Sequence, residues 1–343
     1  MIIDSHGHYT TAPAGIQTFR ALQVATMARP IKHPINISDE QIKNSLDNGQ
    51  LKLQNERGTD IALFSPRASH MGHHFGDAKI SRYWTEVNNE LIDRVCKIYP
   101  DRFIPVAALP QSPGVPPIEG CVQELERVVT EFGFVGCNLN PDPSGGYWQD
   151  PPLGDEYWYP LYEKMVELDV PAMVHGSATC NPALTTTGSH YLNVDNTGMF
   201  QLMESTVLQD FPGIRFIIPH GGGTLPFQYA RFQGLSIMAK REPLEEWIKK
   251  VYFDTAIYSQ DAIELLLKVV GVDNVMFASE MIGGVQAIDP ATGREFDDNK
   301  PYIDNVDWLT DEDRTKLFET NVQKVYPRMK AHLEKIAKAS RRP

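Results

Sequence analysis

Short runs of apolar and β-branched residues recur at 1–4, 60–65, 103–107, 135–139, 171–175, 215–220, 251–255 and 275–280. Most are continuous and do not alternate, the pattern of strands covered on both faces. Between them the apolar spacing changes to the helical period. Residues 40–57 carry Ile42, Leu46 and Leu53 on one stripe, 84–99 carry Val87, Leu91, Val95 and Ile98, and 118–132 carry Val122, Leu125, Val128 and Val129. Helical stretches also read at 157–168, 198–208 and 261–270, and Thr310 to Asp313 forms a cap that opens the last helix. Strand then helix, eight times over, predicts an α/β chain folded as a (β/α)8 TIM barrel. The reading is a single domain over 1–343, with loop insertions after strand 1 (9–38) and strand 8 (282–306) that either cover the mouth or are plain surface loops.

Charge narrows the ligand classes. The net charge of −12 argues against nucleic acid, which needs clustered Lys and Arg. The one basic cluster, 335–342, reads as a solvated helix end. An anionic ligand would need a cationic pocket set against that overall charge. No apolar run approaches the ~20 residues of a membrane span, and the start lacks the basic region of a signal peptide. Cys96, Cys121, Cys137 and Cys180 show no CxxC pairing. They read as reduced thiols of a cytoplasmic protein, Cys180 as a small buried hydrophobe.

The histidines carry the chemical signal. Four of the ten fall at strand ends: His6 and His8 after the first, His175 at the end of the fifth and His220 at the end of the sixth. The eighth strand ends in Glu280. Residues i and i+2 of a strand point the same way, so His6 and His8 aim two imidazoles at one point in the mouth. A lone His-x-His is weak evidence, but four imidazoles and an acid on strands that converge have no common structural cause. They predict a divalent metal site with room for water. His33, His70, His73, His74, His190 and His332 lack this placement, and His73-His74, on the second βα loop, either touches substrate or is a plain polar loop. Gly221-Gly222-Gly223 lacks the spacing of a phosphate loop and reads as close backbone approach beside His220.

Asp4-Ser5-His6-Gly7-His8, Val174-His175, Ile218-Pro219-His220-Gly221-Gly222-Gly223 and Phe277-Ala278-Ser279-Glu280 resemble the amidohydrolase superfamily, in the branch that holds aminocarboxymuconate-semialdehyde and resorcylate decarboxylases. That branch usually has Asp where Glu280 stands. Ser65-Pro66-Arg67-Ala68-Ser69, Leu109 to Pro113, Gly136 to Pro143, Trp158-Tyr159-Pro160, Ser279-Glu280-Met281 and Phe296 to Lys300 look like the 4-oxalomesaconate hydratases, whose pattern includes this Glu.

The resemblance implies a zinc-dependent hydro-lyase, with Mn2+ as an alternative ion. It would add water to a C=C bond of an unsaturated keto tricarboxylate in the breakdown of lignin-derived aromatics. His6, His8, His175 and Glu280 would hold the metal, Glu280 as ligand or base, with His220 as acid or keto-oxygen polariser. Arg67, Asn138, Tyr191 and Arg231 are the candidate receptors for a small anionic polycarboxylate substrate. Barrels of this branch suggest a homodimer. The alternatives are a non-oxidative decarboxylase, a lactone hydrolase, and a barrel that only binds ligand.

Overall fold

The computed structural model describes residues 1–339. Nine strand segments occur in chain order: β1 Ile3–His8, β2 Ile61–Ser65, β3 Phe103–Pro105, β4 Ala107–Ala108, β5 Cys137–Leu139, β6 Ala172–Val174, β7 Phe216–Ile218, β8 Tyr252–Asp254 and β9 Val275–Met276. All pair in parallel, β1 to β3 in one sheet and β4 to β9 in another. The two sheets are arcs of one (β/α)8 barrel. The third expected strand is split because its pairing changes sides. Val106 donates to Phe64 O on β2, and Ala107 to Gly136 O beside β5. At the other seam Ser5 donates its N–H to Phe277 O at 2.9 Å, closing β9 onto β1.

Alternation along each strand sorts the core. Ile3, Ile61, Leu63, Ile104, Met173, Ile217, Tyr252 and Met276 point inward and form an apolar floor, stopped from below by Val322, Val325, Tyr326 and Met329. Phe64, Cys137, Val174, Ile218 and Phe253 point outward against the helices. One inward position above Met173 and Tyr252 come His175 and Asp254, so the polar layer rests directly on a dry one.

Helix boundaries needed more than periodicity. Residues 40–57 form two helices, Asp39–Asp47 and Gln50–Arg57. They break at Gly49, where a Cβ would meet Ser45 O at 2.8 Å. Leu51, not Leu53, is buried in the second. The stretch 84–99 begins earlier, as Ala78–Ile98 capped by Asp77. The capping box at Thr310 is present, but the helix it opens is followed by another, Lys330–Ala339; residues 340–342 of the basic tail lie outside the described residues. Of the two insertions, 9–38 contains a helix, Gly15–Ala25, that buries Ile16 and Phe19. No helix among the described residues is long and apolar enough to cross a membrane.

Candidate metal centre

Five side chains converge where the strands end. His6 Nε2 lies 3.0 Å from His8 Nε2, which is 3.3 Å from His175 Nε2. Glu280 Oε1 is 3.8 Å from His8 Nε2, and its Oε2 is 3.7 Å from His220 Nε2. Ligand atoms of His6, His175, His220 and Glu280 all lie within 4.8 Å of one another. All five residues are buried.

The outer nitrogen of each ring is already taken. His6 Nδ1 meets Asp254 Oδ2 at 2.8 Å, His8 Nδ1 meets Ser65 Oγ at 2.7 Å, His175 Nδ1 meets Gly176 O at 2.6 Å and His220 Nδ1 meets Asp195 Oδ2 at 2.8 Å. A carbonyl or carboxylate only accepts, so His6, His175 and His220 each donate from Nδ1 and turn Nε2 inward. Lone pairs of different strands facing each other in a dry pocket repel unless a cation joins them. Imidazoles with a carboxylate are the donor set a zinc or manganese ion takes. The residues present therefore fit a divalent metal.

Electrostatics separates the histidines. Burial pushes His8 down to about 3, with His6 adding to the fall, and burial with the neighbouring imidazoles holds His175 well below the usual range. Both stay neutral, as ligands must. Burial also acts against a charge on His220, but the carboxylates of Asp195 and Glu280 outweigh it and hold the ring well above the usual range. For Glu280, burial raises the carboxyl while His220, His6 and His8 outweigh it and hold it well below the usual range. His220 and Glu280 thus form a charged pair.

Backbone geometry is unusual at the same places. His220 and Glu280 have φ of 51° and 52°, and Tyr258, whose hydroxyl donates to Glu280 Oε2 at 2.6 Å, has 56°. Left-handed non-glycine residues are sparse and cluster where a site dictates direction. Beside His220, a Cβ on Gly222 would meet the Phe253 ring at 2.8 Å, which bears out close approach at the glycine run.

Three expected substrate residues come to this site. Asn138 donates to Ser65 Oγ at 3.1 Å, the atom that holds His8. The Tyr191 ring stacks on His220 with centroids 6.0 Å apart. Burial and the Glu280 charge push its hydroxyl well above the usual range, with Ser69 and Arg67 pulling back. Arg67 donates from Nε to Ser69 Oγ at 2.9 Å, which sets it in the same group. Arg231 is different. It is exposed, bonds Gln228 at 3.2 Å, and no hydrogen bond or ion pair among the described residues joins it to the cluster.

Two loop residues stand differently from expectation, Cys180 outside and His73 inside. Cys180 is exposed, with Sγ 3.5 Å from Ser144 O. His73 is buried and lines, with Asn138, Asn140 and His175, a cavity of about 20 Å3, space for a water beside the cluster. A larger cleft of about 510 Å3 opens at the opposite end of the barrel, lined by Met1, Gln54, Asp60 and Arg102. The acids behind the histidines, Asp254 and Asp195, went unseen. Asp254 ends a strand as His175 does, so the same rule applied to acids finds it. Asp195 sits inside the helix Tyr191–Met203 and has no comparable signal.

The amidohydrolase family model matches residues 3–328. The chain belongs to the amidohydrolase family. This amidohydrolase is 47% identical to the 2-keto-4-carboxy-3-hexenedioate hydratase of Sphingobium sp. (strain NBRC 103272 / SYK-6), over 97% of this chain and 98% of that one. The structure of a 4-oxalomesaconate hydratase from Rhodopseudomonas palustris, also 47% identical, superposes with a TM-score of 0.91 and covers 99% of this chain and 100% of the other. A gamma-resorcylate decarboxylase of Polaromonas sp. (strain JS666 / ATCC BAA-500) is more distant, 26% identical over 68% of this chain and 76% of its own.

Proposed function

We propose that this amidohydrolase is a hydratase that adds water across the C=C bond of 4-oxalomesaconate, giving 4-carboxy-4-hydroxy-2-oxoadipate. The observation that carries this reading is the 47% identity to a hydratase over nearly the whole of both chains.

His6, His8, His175 and Glu280 would hold the ion, zinc in this reading, with His220 beside them as the acid. A bound Zn2+ lowers the pKa of water to ~7 and so makes it a nucleophile near neutral pH. Glu280 offers Oε1 on the His8 side and Oε2 on the His220 side, which suits a group that accepts the proton of the attacking water. Negative charge then develops toward the keto oxygen as the double bond is consumed. His220, kept charged by Asp195, stands ready to stabilise that oxygen or to deliver the proton to the carbon beside it. Arg67 offers a planar fork for one carboxylate of the substrate, and Tyr191 and Asn138 offer hydrogen bonds to the others. The four cysteines are free, which supports a cytoplasmic location. The exposed Phe227, Ile237 and Met238 support a homodimer.

The test is to incubate zinc-loaded protein with 4-oxalomesaconate and follow the carbon skeleton by NMR. Loss of the olefinic signal and growth of a tertiary alcohol, without CO2, is the expected result. Release of CO2 assigns the chain to decarboxylation instead, and unchanged substrate contradicts the reading.

A further inference from the structure

A glutamate reaching into a metal site has one more rotatable bond than an aspartate, so something must fix which oxygen faces which neighbour. The Tyr258 hydroxyl donates to Glu280 Oε2 at 2.6 Å. That leaves Oε1 turned toward His8, 3.8 Å from its Nε2. Both Tyr258 and Glu280 are held in left-handed backbone, at 56° and 52°. The chain beyond Glu280 then folds back over this contact. A Cβ on Gly284 would collide with the Tyr258 hydroxyl and lie 3.0 Å from Glu280 Oε2. A Cβ on Gly283 would collide with Glu280 O and lie 2.7 Å from its Cγ. Neither position tolerates a side chain, so bare backbone lies against the hydrogen bond.

We infer that Tyr258 is a positioning residue for Glu280, and that Gly283-Gly284 is a backbone cover that holds their hydrogen bond in place. The inference rests on the hydratase reading, in which Glu280 works beside a bound ion. In this inference Tyr258 acts through Glu280. A partner of a metal-binding carboxylate changes metal affinity or activity by roughly 10- to 100-fold when removed, and a hydrogen bond to a charged group is of matching size.

Tyr258→Phe removes one hydroxyl and keeps the ring. Gly284→Ala attacks the same bond from the other side. The experiment measures zinc affinity by chelator competition, kcat and KM for 4-oxalomesaconate, and melting of the metal-free proteins. Each single variant is expected to lose roughly 10-fold or more in zinc affinity or kcat, with KM within about threefold and metal-free melting preserved. The double variant should be no worse than Tyr258→Phe, because both changes break one interaction. Wild-type zinc affinity and kcat in Tyr258→Phe overturn the inference, as do multiplying losses in the double variant. Should Tyr258→Phe fail to fold, wild-type zinc affinity and kcat in Gly284→Ala overturn it alone. Should the wild-type protein not turn over this substrate, the hydratase reading falls, and zinc affinity alone decides the role of Tyr258.

Discussion

Asp195 is buried in a helix and spends its charge on one histidine. That contact sets His220 apart, because against burial the carboxylates of Asp195 and Glu280 hold its ring well above the usual range. Replacing Asp195 with Asn should lower kcat while zinc content stays at the wild-type level; loss of zinc together with activity would instead mark His220 as a ligand. Arg67→Met should raise KM or cut kcat/KM by roughly tenfold, the size of a charge-assisted contact, with zinc retained. Wild-type kinetics would contradict that role. His73 gives a pH test. Burial pushes it down to about 3, from an ordinary value of 6.5, with His74 and Arg20 adding to the fall. Between these values the unfolded chain binds a proton that the folded chain refuses, so the stability is present above pH 6.5 and is lost as pH falls toward 3. Denaturation of the metal-free protein between pH 7 and 5 should show the loss, and His73→Gln should flatten the slope by up to roughly 1.4 kcal/mol per pH unit. An unchanged slope contradicts it.

At the scale of elements, strands were legible because both faces are buried and the runs are continuous. The clustering of His6, His8, His175 and His220 was legible because they end or follow those runs directly. What escaped was set by partners distant in the chain. The split of the third strand depends on Phe64 and Gly136, and the break at Gly49 depends on a carbonyl a turn away. Asp195 is on a helix, where the strand-end rule has nothing to say. Arg231 follows His220 closely in sequence, yet its helix carries it to the surface. Gly7 shows the opposite case, a residue whose reason is local. A Cβ there would meet Leu63 O at 2.7 Å, so only glycine lets β1 lie against β2 between the two histidines. Gly7→Ala should therefore cost roughly 1–3 kcal/mol in urea denaturation of the metal-free protein, as overpacking does. Unchanged stability would show that β1 shifts freely.

For the whole molecule, the net charge of −12 and an anionic substrate stand in opposition. The acids of the mouth are engaged: Asp254 with His6, Asp195 with His220 and Glu280 with both His220 and Tyr258. Arg67 is set beside them, and a divalent ion would add two positive charges. Many other acids pair with Lys and Arg away from the mouth, as Glu86 does with Lys32 and Glu124 with Arg127. His6, His8, His175 and Glu280 are expected to hold one ion on which hydration depends. Metal analysis of the purified protein, run beside the hydration assay, tests it most directly. About one zinc per chain is expected, with zinc and hydration lost together in His6→Ala and in His175→Ala. A metal-free protein with full hydration activity would contradict it.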